Sequence, residues 1–308
     1  MKLLEAIKVC AEHEGFGVKK KTLEGYNKDR LYFCMFARNP ELEDIQEGDV
    51  INFFKMMLEL GWDQNSVMHK SIALRNLFSY WIKRGRRCLN PELIPIPKRE
   101  FKMPDVAEHW QYERFLATIP RLTNDKRWPR LRALAMLLYD TGARGGEILM
   151  LNVKDLDFSD PTQGRAVIKT EKSRGMRPIR EIFWTPNTTI ALKEWLKARQ
   201  EMIDRGVKFA DPDALFVGVR CWQAGKRLAV GALDIAFRKH CRDIGLAPLL
   251  HPHMLRHLKG HDLNSSGANN TTISGILGHA SLASSQIYTQ MRSHELKAAA
   301  MKYARKRG

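Results

Sequence analysis

The sequence predicts a mainly α-helical protein of two domains, with a small antiparallel β-sheet inside the second. Three observations carry this reading. Apolar residues recur at helical spacing along most of the 308 residues, and a proline-rich break falls between Asn90 and Pro104. Between Val153 and Phe183 the helical period gives way to short β-prone runs separated by turn residues.

Taken in order, Thr22 to Phe36 places Leu23, Tyr26, Leu31 and Phe33 in a stretch without proline, and is read as a helix. Ile51 to Leu60 is a short apolar helix closed by Gly61. In Ser66 to Lys83, Val67, Leu74, Leu77, Phe78 and Trp81 share one face at spacings of three, four and seven. Ser66 is its expected N-cap and Gly85 its stop. The stretch NPELIPIPKREFKMP sets four prolines among basic and apolar residues with no period, as an extended linker would. Beyond it, Arg130 to Tyr139 is helical, with Leu131, Leu134 and Leu138 on one face, and ends at Thr141-Gly142. A further helix starts near Ala143 and turns Ile148 and Leu149 inward. Then come the strands LDF, RAVIKT and RPIREIFW, parted by Asp-Pro, Gln-Gly and Ser-Arg-Gly turn residues. Helices resume at Ile190 to Arg205, Ala232 to Ile244, Arg256 to Asn264, Thr271 to Leu277 and Ser284 to the end. No period of 20 to 50 residues repeats, which sets aside solenoids and propellers.

A hydrophobic share of 44% suffices for one large core or two ordinary ones. The 51 Lys+Arg against 34 Asp+Glu give a net charge of +17, a self-repulsion that calls for a polyanionic partner. That charge is uneven: residues 1–105 hold 18 basic and 15 acidic side chains, the remainder 33 and 19, so the second domain is expected to face the polyanion. Nucleic acid and anionic membrane are the two candidates. No apolar run approaches the roughly 18 residues of a membrane span, so a spanning protein is excluded and no membrane partner is expected. The N-terminus has no uninterrupted apolar segment or small-residue cleavage site, so no secretory signal is expected. The N-x-S/T matches at Asn187, Asn264, Asn269 and Asn270 are then incidental. Five cysteines lie far apart with no C-x-x-C, which suggests neither a disulfide framework nor a thiolate zinc site and points to a reducing, intracellular compartment. G-x-G-x-x-G, G-x-x-x-x-G-K-S/T and H-E-x-x-H are all missing, so no cofactor is expected. His253, His257 and His261 recur every four residues, yet no acidic or Cys partner completes a metal face. His257 and His261 are read as helix-surface or satisfied core positions.

Four segments of the second domain belong together: TGARGGEILML, the EKSRGMR turn, HPHMLRH and LGHASLASSQIYT. In this order they resemble the signature of the tyrosine recombinases, the phage-integrase and Xer family. The resemblance implies an active site of Arg144, Lys172, His253, Arg256, His279 and the nucleophile Tyr288. Arg144 matches the first arginine of T-G-x-R-x-x-E-I, His253 and Arg256 match H-x-x-R-H, His279 matches L-G-H, and Tyr288 matches the x-I-Y-T tyrosine nine residues on. Lys172 matches the hairpin-turn lysine, with Lys169 as a rival. More loosely, ALRNLFSYWIKRG followed by NP resembles the last helix of the family's core-binding domain.

The chemistry is sound in its own right. Metal-free phosphodiester transfer needs a nucleophile, positive charge on the nonbridging oxygens and a proton donor for the departing alkoxide. A Tyr hydroxyl can store the broken bond as a phosphoester. Forked guanidinium donors suit two nonbridging oxygens. His253 lies three residues before Arg256, so a helix beginning there would turn both to one side.

The resemblance further implies a two-domain clamp: residues 1–94 as the all-helical core-binding domain, 95–105 as linker, and 106–308 as the tyrosine-recombinase catalytic domain with its C-terminal helix. It implies a double-stranded DNA partner, a homotetramer on two sites, and scope for a partner recombinase or directionality factor. The implied activity is site-specific strand exchange through a 3′-phosphotyrosyl link. A type IB topoisomerase-like nicking and resealing enzyme, or a silent DNA-binding regulator on the same scaffold, are the alternatives.

Overall fold

The computed structural model describes residues 1–14, 20–100, 105–120, 124–170, 179–220 and 223–278. The chain forms two compact units, Met1–Lys102 and Met103–Gly308.

The first unit is built from α1 (Leu3–Glu14), α2 (Lys20–Phe36), α3 (Glu47–Glu59) and α4 (Gln64–Ile82). Val67, Leu74, Leu77, Phe78 and Trp81 of α4 are all buried, meeting Leu3, Ile7 and Cys10 of α1, Phe33 of α2 and Phe53 of α3 in one core. Arg30 is fully buried there. Its guanidinium forks onto the Glu14 carboxylate at 2.7 and 3.0 Å, and its Nε donates to the Ala73 carbonyl, so one residue ties α1, α2 and α4. Helix α4 starts earlier than expected and Ser66 is not its cap. Asp63 is, accepting the Ser66 N–H at 3.0 Å on one oxygen and the Ser66 hydroxyl on the other. Beyond α4 a single 3-10 turn (Pro91–Leu93) leads into extended residues that are tethered: Ile94 is buried in the core, Ser71 and Arg75 donate to the Pro95 and Ile94 carbonyls, and Asn65 exchanges two hydrogen bonds with Glu100.

The second unit opens with α5 (His109–Ala117), α6 (Arg127–Thr141) and α7 (Gly145–Leu149). Strands β1 (Leu156–Asp157), β2 (Gly164–Lys169) and β3 (Ile179–Trp184) follow as an antiparallel sheet in sequence order. The β2–β3 register sets Gly164 against Trp184 and Ile168 against Arg180. Gly164 is required: a Cβ there would stand 2.1 Å from the Trp184 indole. Then come α8 (Pro186–Asp204), α9 (Val230–Asp243), α10 (Pro252–Ser265) and α11 (Asn270–Leu277). Helix α6 is the central element, burying Leu134, Leu137 and Leu138 in a core shared with Trp195, Phe216 and Phe237. Asp140 fastens it to the start of α8, accepting from the Thr185 N–H and from the Thr185 and Thr188 hydroxyls at 2.7–2.8 Å. Among the described residues no helix is long and apolar enough to cross a membrane.

Candidate active site

The site begins where α6 stops. Gly142 takes a left-handed conformation (φ +58°) that turns the chain sharply, and a Cβ there would collide with Leu277 at 2.3 Å. Two residues later Arg144 becomes the N-cap residue of α7. Five residues of helix do not hold themselves together. Arg227 grips the far end, donating to the Leu149 and Leu151 carbonyls and to the Asn152 side chain. Glu147 secures the near end, where one oxygen accepts the Arg144 N–H at 3.0 Å and the other Arg144 Nη1 at 2.8 Å.

The Glu147 side chain is fully buried. Burial pushes its carboxyl up, but the Arg144 N–H and the Arg180 and Arg144 guanidinium charges outweigh this and hold it below the usual carboxylate range. Arg180 reaches it from β3, with Nη2 3.1 Å from Glu147 Oε2. One carboxylate therefore serves two guanidinium groups.

Arg256 lies in α10, one turn after His253. Pro252 occupies the first turn, which places His253 at the exposed N-terminal end and leaves Arg256 4% exposed. Arg256 Nη1 donates to the Gly142 and Leu277 carbonyls, each at 2.7 Å. Next to it His257 is held down to about 4 by burial and by the Arg256 charge, with His253, His261 and His251 adding to the effect.

All three arginines meet at the end of α11. That helix closes at Gly278 (φ +68°), and the last carbonyls of a helix have no partner within it. Arg180 Nη1 donates to the Ile276 carbonyl, Arg256 Nη1 to that of Leu277, and Arg144 Nη1 to that of Gly278 at 3.3 Å. Three consecutive carbonyls at the negative end of the helix dipole thus receive three cations from three separate elements.

Of the residues singled out from sequence, the structure brings Arg144 and Arg256 to one turn and places His253 one helical turn from Arg256. Lys169 ends β2. Lys172, His279 and Tyr288 lie outside the described residues. Glu147 and Arg180 were missed. Glu147 sat within the quoted T-G-x-R-x-x-E-I context without a role. Arg180 had one signal, a cation on the strand face that also carries Ile182 and Trp184, both buried. Among the described residues no group of three or more His, Cys, Asp or Glu could hold a metal ion.

The fold is a small antiparallel sheet set among helices, with two arginines converging on glycine turns, and the comparisons with known proteins give its class. Residues 106–295 match the phage integrase family. The chain belongs to that family and is a tyrosine-type site-specific recombinase. It is 28% identical to the tyrosine recombinase XerC of Roseiflexus sp. (strain RS-1) over 274 residues, spanning 88% of this chain and 83% of that one. It is 27% identical to XerC of Listeria monocytogenes serotype 4a (strain HCC23) over 286 residues, spanning 92% and 91%. Among solved structures it resembles the XerH site-specific recombinase bound to palindromic difH substrate in a post-cleavage complex, with a TM-score of 0.68 and 25% identity over 96% of this chain and 83% of that one. A lambda integrase (75-356) dimer bound to a COC' core site gives the same TM-score at 18% identity, covering 96% and 98%, a likeness of fold.

Proposed function

We propose that this recombinase binds double-stranded DNA and exchanges strands through a 3′-phosphotyrosyl intermediate on Tyr288. The observation that carries the reading is the convergence of Arg144 and Arg256 on the Gly142 and Gly278 turns, each tethered by backbone oxygens. Two such guanidinium groups can bind the two nonbridging oxygens of a scissile phosphate and stabilise the charge that builds in the transition state. In this scheme Tyr288 attacks the phosphorus, His253 accepts or relays its proton, and His279 hydrogen-bonds the phosphate. Lys172, with Lys169 as the alternative, protonates the departing 5′ oxygen. The released 5′ hydroxyl of a partner strand then reverses the step, displacing Tyr288. The phosphotyrosyl link keeps the energy of the broken strand, so no nucleotide is required, and the two guanidinium groups supply the positive charge that a metal ion would otherwise bring.

Residues 1–94 act as the core-binding part, 95–105 as the linker and 106–308 as the catalytic part, both parts engaging the duplex. The net charge of +17 favours that partner, and the similar XerH site-specific recombinase was solved bound to its palindromic difH substrate. Four copies assemble on two sites in the cytoplasm, at the nucleoid. The test is a nicked suicide substrate that traps the covalent adduct. The parent chain should give a protein–DNA band on a denaturing gel whose cross-linked peptide contains Tyr288, and Tyr288→Phe should give none. An adduct on any other residue would overturn the assignment.

A further inference from the structure

We propose that Arg180, on β3, is a positioning residue for strand cleavage: it shares the charge of Glu147 with Arg144 and seats the turn that leads into His279. The inference rests on the reading that Arg144 contacts the scissile phosphate.

The first argument is electrostatic. Glu147 is buried and ionised between Arg144 Nη1 at 2.8 Å and Arg180 Nη2 at 3.1 Å. With both arginines present the trio carries one net positive charge beside the site. Without Arg180, Arg144 and Glu147 become a neutral pair, and the guanidinium offered to the phosphate is cancelled by its own support.

The second is geometric. Gly278 immediately precedes His279 in the chain, and its turn rests on the Arg180 guanidinium: a Cβ at 278 would stand 2.6 Å from Nε and 3.0 Å from Cδ. Nη1 of the same group holds the Ile276 carbonyl, while Nε is buried and finds no partner among the described residues. One planar group thus supports a carboxylate on one side, a carbonyl on another, and a glycine against its face. Lysine could supply the charge but not both directions at once. The ladder fixes where this group stands, since Arg180 pairs with Ile168 in the β2–β3 register.

The experiment compares Arg180→Lys and Arg180→Gln with the parent in single-turnover cleavage of the suicide substrate, with site affinity measured by gel shift and folding by thermal melting. Losing a donor that touches the developing charge directly costs about 10²–10³ in rate, so a residue one step removed should cost about 10- to 100-fold, with Lys the milder, while affinity changes less than about threefold. A substrate with a methylphosphonate at the scissile position removes one nonbridging charge. There the gap between parent and variants should narrow by about tenfold, a response that a purely structural defect would not give. Arg180 has no such role if either folded variant cleaves within about twofold of the parent, or if affinity and cleavage fall together and the methylphosphonate leaves the gap unchanged. Tyr288→Phe is run alongside. Normal adduct from the Arg180 variants with none from Tyr288→Phe defeats this inference alone, whereas an adduct from Tyr288→Phe defeats the site assignment beneath it.

Discussion

His257 shows how closely the site's cations constrain their neighbours. It lies beside Arg256 and is held down to about 4, chiefly by burial and then by that charge. An unfolded chain takes up a proton at this imidazole below about pH 6.5, whereas the folded chain refuses it until about pH 4. Its contribution to stability is therefore complete above pH 6.5 and is lost as the pH falls through that window. Urea unfolding should show a loss of roughly 2 kcal/mol between pH 7 and pH 5 that is missing from His257→Gln. An identical pH slope in the two proteins would contradict the assignment. At this scale the candidate site is only partly legible in the sequence. Arg144 and Arg256 can be picked out because each sits in a short contiguous pattern. Arg180 cannot, because its place depends on three things far apart in the chain: the β2–β3 register, the depth of Glu147, and the point at which α11 ends.

Among the elements, the helical stripes were readable and their boundaries less so. Every apolar position assigned to the inner face of α4 is buried. Its start was misplaced because Ser66 and Asp63 are both good caps, and only geometry shows which one accepts the backbone donor. Asp63→Ala should destabilise the first unit by about 1 kcal/mol and Ser66→Ala by distinctly less, measured by chemical denaturation. The reverse order would restore Ser66 as the cap. Helix α1 buries Leu3, Ala6, Ile7 and Cys10, a full helical stripe that the sequence displayed, although the segment was weighed only for targeting. Helix α5 gave little signal. It buries only Gln111, Tyr112 and Phe115, and Gln111 and Arg114 fix it to the Ala247 and Ile244 carbonyls, so tertiary contacts rather than periodicity make it a helix.

For the whole molecule, the small sheet and the helical majority followed from periodicity, and the proline-rich stretch marked a change of character. That stretch did not announce its tethering along α4, because Ser71, Arg75 and Asn65 hydrogen-bond to main-chain atoms whatever side chains the stretch carries. Assembly is tested at this level. Deleting residues 293–308 should leave single-site binding intact and abolish the pairing of two sites and recombination, as read by gel shift and product formation. Recombination at the parent rate by the shortened chain would argue against a tetramer held through that segment.

The arginine-capped end of α11 has a consequence for how a phosphate would be met. A guanidinium on a long side chain ordinarily surrenders up to about 2 kcal/mol of rotamer freedom when it is fixed. Here Arg144, Arg180 and Arg256 surrender it during folding, to main-chain oxygens that are present whether or not nucleic acid is bound. The three side chains are thus held before any encounter: on the proposed reading Arg144 and Arg256 need not be ordered when a phosphodiester arrives, and Arg180 keeps the turn they share in place.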